Sequence, residues 1–226
     1  ISRTGTYLDV RGSAEVTTVI PHEEFVGKTL FDVLPPEVAQ ERLRYIEKTL
    51  ATGELQTFEY DLTIAGQRHF FEARLVASGQ DEVLTIIRDI TERRESERVQ
   101  EAIYRISEAA HSASTLQELF GTIHNIVCDL THTDNFYIAL YDDTTDLLDF
   151  TYFIDQYDDL SDRRSGKGLT AYVLKTGQPL LATPQVYADL INRGDVEPLG
   201  PPSVDWLGVP LKIGHKIIGV LAVQSY

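Results

Sequence analysis

The feature that most constrains the fold is a change in the hydrophobic period near residue 55. Before this point, apolar residues recur every three or four positions, which predicts one face of an α-helix; they are Ala39, Leu43, Ile46 and Leu50. Pro36 suits the first turn of this helix and Gly53 suits its end. After this point, apolar and polar residues alternate, which predicts a strand with one buried face. The apolar members of that strand are Phe58, Tyr60, Leu62 and Ile64.

Two further strand-like segments follow with only short connections. Residues 65–67 predict a turn, and apolar residues alternate again from Phe71 to Leu75. Residues 83–90 predict a third strand, and residues 6–10 predict a short strand near the start of the chain. Short turns can join antiparallel strands, whereas parallel strands need a long crossover. The first part of the chain therefore predicts an α+β fold with an antiparallel sheet.

The second half of the chain repeats this combination of helices and antiparallel strands. A helix is predicted to begin at Thr115, because Glu118 three residues later completes a capping box. Strands are predicted at 135–142 and 147–154, and residues 204–225 predict a closing hairpin. We therefore expect two α+β domains, each with a mostly antiparallel sheet and flanking helices, joined by a long helix.

The connecting helix carries a narrow apolar stripe. Asp89 and Glu92 have the spacing of a capping box just before it. The stripe has the a/d spacing of a coiled coil and consists of Val99, Ile103, Ile106 and Ala110. It predicts either a parallel homodimer through this helix or an amphipathic helix packed on its own domain. The predicted boundaries are 1–91 for the first domain, 92–113 for the connecting helix and 114–226 for the second domain.

Composition excludes several classes of function. The net charge of −15 argues against a nucleic-acid partner, which needs a basic face. The single cysteine, Cys128, excludes an intrachain disulfide and predicts a buried structural thiol. No apolar run is long enough to cross a bilayer, so we expect a cytoplasmic chain with no membrane contact. The sequence has no Met, which indicates a fragment or missing methionines.

The sequence offers no catalytic or metal-binding constellation. Its six histidines are scattered, and no two of them share the i, i+3 or i, i+4 spacing that a helical metal pair needs. The Asp-rich run at 142–162 lacks the spacing of a calcium loop, which predicts solvated loop charge. We therefore expect no metal and no enzymatic activity in this chain.

The first half resembles a PAS sensory domain. The segments that resemble this family are TGTYLDV, EEFVGKTLFDVLPPEV and FEYDLTIAGQRHFFEARLV, followed by RDITERRESE at 88–97. The resemblance covers residues 1–91, with a first strand truncated at Ile1. In this family the last strand passes through an Asp-Ile-Thr motif into an exit helix. The resemblance therefore implies that Asp89 and Thr91 couple a signal to that helix.

The second half resembles a GAF domain over residues 100–226, without the family's closing helix. The segments that resemble this family are NFYIALYD, GKGLTAYVLKTGQPLLA and WLGVPLKIGHKIIGVLAVQS. No family signature for haem, flavin, bilin or a cyclic nucleotide is present, so no cofactor is implied. The alternation along residues 136–141 leaves one face that could line a GAF-like cavity. The predicted pocket residues are Tyr137, Tyr141, Gly166 and Gly168, with a small neutral or anionic ligand as one alternative and filling by aromatic side chains as the other.

The two resemblances imply a non-catalytic sensory module of a prokaryotic signal-transduction protein. A change induced by a ligand or partner would pass through a dimeric connecting helix to an output domain outside this chain. Histidine kinases and diguanylate cyclases of two-component and related systems are the expected parent types. The alternative is a dimerisation scaffold with no small-molecule ligand.

Overall fold

The computed structural model describes residues 1–12, 21–157, 166–199 and 203–226, and the chain divides into two compact units, residues 1–98 and 99–226. The helices are α1 (Leu30–Val33), α2 (Pro36–Thr52), α3 (Thr91–Ser112), α4 (Leu116–Thr131), α5 (Leu169–Thr176) and α6 (Pro184–Asn192). The strands are β1 (Gln56–Ile64), β2 (Gln67–Ala77), β3 (Val83–Asp89), β4 (Asn135–Asp142), β5 (Leu147–Ile154), β6 (Leu180–Ala182), β7 (Asp205–Ile213) and β8 (Lys216–Ser225). The predicted α+β class is confirmed in both units.

The first unit is a three-stranded antiparallel sheet in the order β1-β2-β3, with α2 packed against it. Ala65 and Gly66 both have positive φ angles, 51° and 83°, so the β1–β2 connection is a tight two-residue hairpin. Gly53 ends α2 at φ 70°, as the sequence predicts. The core between helix and sheet includes Leu30, Ala39, Ile46, Phe58, Phe71, Ala73, Leu75 and Val83.

The predicted strand at residues 6–10 is wrong. Only isolated bridges form in this region, at Ser2–Glu82 and Thr6–Thr29. The backbone of Tyr7 bonds to the loop before α1, because its N–H donates to Lys28 O and its carbonyl accepts from the Gly27 N–H. These bonds take the groups that a sheet partner would use.

The second unit is a five-stranded antiparallel sheet in the order β5-β4-β8-β7-β6. The predicted alternation along β4 is confirmed. Phe136 and Ile138 pack in a cluster with Phe120 and Ile123 of α4. Tyr137 and Ala139 belong to the opposite cluster, with Leu148, Val173, Ala182, Trp206, Val220 and Ala222. Helices therefore cover both faces of this sheet.

The connecting helix α3 occupies the predicted position. It begins at Thr91 and ends at Ser112, close to the predicted boundaries of 92 and 113. The division between the two compact units falls inside this helix, between Arg98 and Val99. Among the described residues, no helix is long and apolar enough to cross a membrane.

Candidate functional site

A cavity of about 710 Å³ lies in the first unit. All three strands of the sheet, α1, α2 and the segment at residues 7–12 contribute to its lining. Its volume falls in the range of small-molecule sites. Most of the wall is apolar and includes Phe25, Val33, Leu34, Leu62, Ile64, Phe71 and Val83. Sequence reasoning placed the candidate ligand pocket in the second unit and did not predict this one.

Arg42 contributes a buried positive charge to the cavity lining, with only 3% of the residue exposed. Its Nη1 donates to the Tyr7 hydroxyl (3.3 Å) and its Nη2 donates to the Tyr60 hydroxyl (2.7 Å). The guanidinium carbon also lies 5.0 Å from the centre of the Tyr60 ring, a cation–π contact. Among the described residues, no carboxylate oxygen lies within 4.0 Å of this guanidinium.

The helical spacing of α2 explains why Arg42 is buried. Its buried residues are Ala39, Arg42, Ile46 and Thr49. Arg42 lies three positions after Ala39 and four before Ile46, so it shares their face. Leu43, which the sequence analysis assigned to the buried stripe, is only partly buried. A charged residue at this spacing within a predicted apolar face is the signal that could have revealed the site.

The remaining polar groups of the cavity differ in exposure. Asp9 and Arg11 form an ion pair of 3.1 Å, and both side chains are exposed, as is Glu82. Thr85 is half-buried, and its Oγ1 is buried without a hydrogen-bond partner in the described structure. Burial raises the pKa of the Tyr7 hydroxyl, although Arg42 acts in the opposite direction.

Burial also raises the pKa of the Tyr60 hydroxyl, and the charge of Arg42 again opposes the shift. Both phenols are therefore neutral at physiological pH. They can accept hydrogen bonds from Arg42, but they supply no counter-charge to it. The arginine remains a buried cation among neutral groups.

The predicted coupling residues lie at the junction of β3 and α3. Asp89 Oδ1 accepts from the backbone N–H (2.9 Å) and the hydroxyl (2.6 Å) of Thr91. The same hydroxyl accepts from the Phe70 N–H (2.9 Å), and the Ile90 N–H donates to Phe70 O (2.8 Å). The first turn of α3 is therefore bonded directly to β2. The predicted capping box is wrong in detail, because Asp89 caps the N–H of Thr91, and not that of Glu92.

Two further contacts attach this junction to the sheet. His69 Nδ1 lies 3.5 Å from Asp89 Oδ2, and Glu59 of β1 pairs with Arg93 (3.0 Å) and with Arg94. Partial burial acts to raise the pKa of Asp89, but the hydrogen bonds from Thr91 and the contact with His69 hold it below its usual value. The carboxylate is thus the stable form at the junction.

The same local turn occurs once more, at the β4–β5 connection. Asp142 Oδ1 accepts from the N–H (2.9 Å) and the hydroxyl (2.6 Å) of Thr144, and Asp142 Oδ2 accepts from Thr145 (2.9 Å). These bonds lower the pKa of Asp142 to about 2. An Asp-x-Thr turn is therefore not specific by itself. At residues 89–91 the threonine hydroxyl also receives the N–H of a neighbouring strand.

The structure separates the two tyrosines of the predicted second-unit pocket. Tyr137 is buried, and its hydroxyl lies 2.7 Å from Thr170 Oγ1 and accepts from Trp206 Nε1 (3.1 Å). The Tyr141 hydroxyl donates to Asp146 Oδ1 (2.9 Å) in the β4–β5 connection. That hydrogen bond is the main cause that raises the pKa of Tyr141. The centres of the Phe150 and Phe153 rings lie 5.4 and 5.9 Å from the centre of the Tyr137 ring.

The two predicted glycines lie at the start of α5. Gly166 has a φ of 43°, and Gly168 is the N-cap residue of the helix. A Cβ at Gly168 would lie 3.1 Å from Leu199 Cδ1, so this leucine covers the helix start. Residues 158–165 lie outside the described residues, and the predicted pocket segment from 155 to 183 is described only in part.

The apolar stripe of α3 is largely exposed. Val99 is 49% exposed and Ile103 is 62% exposed, while Ala110 is exposed and Ile106 half-buried. The buried residue of this helix is Ala102. Val99 and Ile103 are therefore largely uncovered by their own unit, which leaves the homodimer as the alternative to test.

Cys128 is less buried than the sequence predicts. It is half-buried in α4, and burial raises its pKa, with a smaller contribution from Asp134 and Asp129. In the part of the chain that the structure describes, no group of three or more His, Cys, Asp or Glu side chains could hold a metal ion.

Comparisons with known proteins assign both units to families. The PAS fold family matches residues 1–95, and the GAF domain family matches residues 113–226, which is half of the chain. The chain belongs to the GAF domain family and carries a PAS domain before it. PAS and GAF domains are sensory and regulatory modules that are typically non-catalytic. No curated protein matches the chain.

Several solved GAF structures resemble the chain at low identity. The GAF domain of an Acinetobacter phosphoenolpyruvate-protein phosphotransferase is 17% identical, with a TM-score of 0.44 over 58% of this chain and 77% of that one. The corresponding Coxiella burnetii domain is 16% identical, with a TM-score of 0.47 over 57% and 78%. A free methionine-R-sulfoxide reductase from Neisseria meningitidis is 16% identical, with a TM-score of 0.45 over 58% and 75%.

Proposed function

We propose that this chain is a ligand-responsive sensory module in which the PAS unit binds a small molecule and α3 transmits the response. The observation that carries the proposal is the position of Phe71. Its side chain lines the cavity, and across the β2–β3 pair it lies directly opposite Asp89. The preceding residue, Phe70, bonds to Ile90 and Thr91 at the start of α3. The cavity wall and the helix start therefore share one stretch of β2.

A short set of contacts would transmit the signal. The Tyr60 and Phe71 rings stack with their centres 5.5 Å apart, and both residues line the cavity. A ligand that contacts these rings differently in two states would favour one position of β2. Because the Phe70 backbone holds Thr91, a shift of β2 would change the hydrogen bonds at the first turn of α3. The output domain, of histidine kinase or diguanylate cyclase type, would lie outside this chain in a cytoplasmic protein.

The proposed module is a parallel homodimer through α3. The exposure of Val99 and Ile103 on one stripe supports this arrangement, because apolar residues at a/d spacing pair well with an identical helix. An Ile103→Glu change should convert the dimer to a monomer at micromolar concentration while both units stay folded. Light scattering on this chain measures the change. Glu101→Gln on the same helix is the control, and a wild-type chain that is already a clean 25.4 kDa monomer would contradict the proposal.

Hydrogen–deuterium exchange tests the coupling path. A small-molecule library is first screened by native mass spectrometry, and any ligand that binds is added before exchange. We expect slower exchange in cavity peptides and altered exchange in residues 89–103. Asp89→Ala should keep the slower exchange in cavity peptides but lose the altered exchange in residues 89–103. Asp142→Ala removes the equivalent turn in the second unit and should keep both changes. Protection that is confined to cavity peptides in the wild type would refute coupling through this junction.

The alternative function is a dimerisation scaffold without a ligand. The described contacts of the second unit favour this alternative, because the Tyr137 hydroxyl is already bonded and the Phe150 and Phe153 rings lie beside the Tyr137 ring. A library that produces no bound species with the intact chain would support the scaffold.

A further inference from the structure

We infer that the ligand of the first-unit cavity is an organic monocarboxylate with an apolar body, and that Arg42 binds its carboxylate. This inference rests on the proposed function, because it names the class of molecule that the cavity takes. It starts from a charge that the described structure leaves without a counter-charge.

The guanidinium has unused hydrogen-bonding capacity. An arginine has five N–H donors, and the described contacts of Arg42 use two, to Tyr7 and Tyr60. Its Nε is buried without a hydrogen-bond partner. A buried charge is costly unless an opposite charge and hydrogen bonds compensate it. A bound carboxylate would provide both, because it matches the fork of N–H groups on an arginine.

The other charged residues of the lining favour a single negative charge. Asp9, Arg11 and Glu82 are exposed, and Asp9 is already paired with Arg11. Arg42 is therefore the only buried charged side chain among the described lining residues. A dianion or a phosphate ester would carry a second negative charge for which these residues offer no second buried cationic side chain.

The rest of the wall favours an apolar body. Aromatic and aliphatic side chains from α1, the segment before it and all three strands surround the space, and they include Phe25, Val33, Leu62, Phe71 and Val83. The buried hydroxyl of Thr85 is a second polar group without a partner in the described structure. A carboxylate with a hydrocarbon chain or an aromatic ring satisfies the cation and buries its own apolar surface.

The test compares two probes that differ in charge and not in shape. Octanoate and octanamide are titrated into the 226-residue chain by isothermal calorimetry, and binding is confirmed by native mass spectrometry. We expect octanoate to bind at least tenfold more tightly than octanamide. Arg42→Met should remove this preference, and Arg42→Lys should restore part of it. Arg44→Met, on the exposed side of the same helix, should leave the preference unchanged.

Each outcome decides between the alternatives. Equal binding of the two probes to the wild type overturns the inference without any variant, so a failure of Arg42→Met to fold cannot hide the answer. A preference for octanoate that survives in folded Arg42→Met also overturns it. Capture of a neutral molecule from the library, with no binding of octanoate, overturns the inference but leaves the proposed ligand function standing. If no probe and no library member binds, both the carboxylate inference and the proposed ligand-binding function are refuted.

Discussion

The two units differ in how their buried polar side chains are compensated. In the second unit the buried Tyr137 hydroxyl contacts Thr170 and Trp206, and the rings of Phe150 and Phe153 lie beside its ring. The first unit leaves a cavity of about 710 Å³ and places the buried Arg42 in its lining, with no carboxylate oxygen of the described residues within 4.0 Å of the guanidinium. The difference is the reason we propose a ligand site in the first unit, although the sequence analysis placed the candidate pocket in the second.

The largest expected effect is the loss of the buried tryptophan of the second unit. Trp206 is 3% exposed, and its ring lies over Gly208. Trp206→Ala should destabilise the second unit by about 3–5 kcal/mol, because it removes a large buried side chain and leaves a void. Exchange mass spectrometry in urea should show early opening of β7 and β8 with little change in β1–β3. An equal loss of protection from exchange in both units would mean that they unfold together.

The next largest effect is expected from substituting a larger side chain into each unit, which should cost more stability in the second unit than in the first. Ala222 is fully buried in the second unit, and Ala222→Leu should cost about 1–3 kcal/mol through overpacking. Leu34 lines the cavity of the first unit, and Leu34→Phe should cost less than about 1 kcal/mol because space is available. Urea unfolding measures both. If Leu34→Phe is the more damaging change, the cavity is not open to added side-chain volume.

The Asp89 turn gives a smaller and pH-dependent effect. Asp89→Ala should cost about 0.5–2 kcal/mol at pH 7 through loss of a helix cap. Because the pKa of Asp89 is lowered on folding, its stabilising effect is complete above the ordinary carboxyl pKa and is lost as the pH falls through the lowered value. The difference between wild type and variant should therefore shrink in acid. A penalty that stays constant into strong acid would show that the charge of Asp89 is irrelevant.

The smallest effect concerns Cys128 of the second unit. Burial raises the pKa of this thiol, so little thiolate is present near neutral pH. A disulfide reagent at pH 7.5 should modify the folded chain several-fold more slowly than the urea-unfolded chain, and the folded rate should rise with pH. Equal rates in both states would contradict the burial of the thiol.

The sequence predicted the elements better than the sites. Periodicity and turn residues placed α2 and the strands from β1 to β3, because local alternation and Gly53 decide those features. The predicted strand at residues 6–10 was wrong because the backbone of Tyr7 bonds to the loop before α1 and not to a strand. Periodicity along the sequence does not show which backbone groups pair. Arg42 was missed because the predicted face of α2 was defined by apolar residues alone, which passes over a charged residue between them. The first-unit cavity depends on packing between distant segments, which no local pattern records.

The single tryptophan gives the molecule a built-in optical reporter. Trp206 belongs to the second unit, and residues 1–98 contain no tryptophan at all. Its indole is buried, and its N–H is bonded to the Tyr137 hydroxyl, so its emission should be blue-shifted relative to tryptophan in water. Selective excitation of the indole therefore interrogates the GAF unit alone. A change in that emission when a non-absorbing molecule binds in the PAS unit would record communication between the two domains without any label.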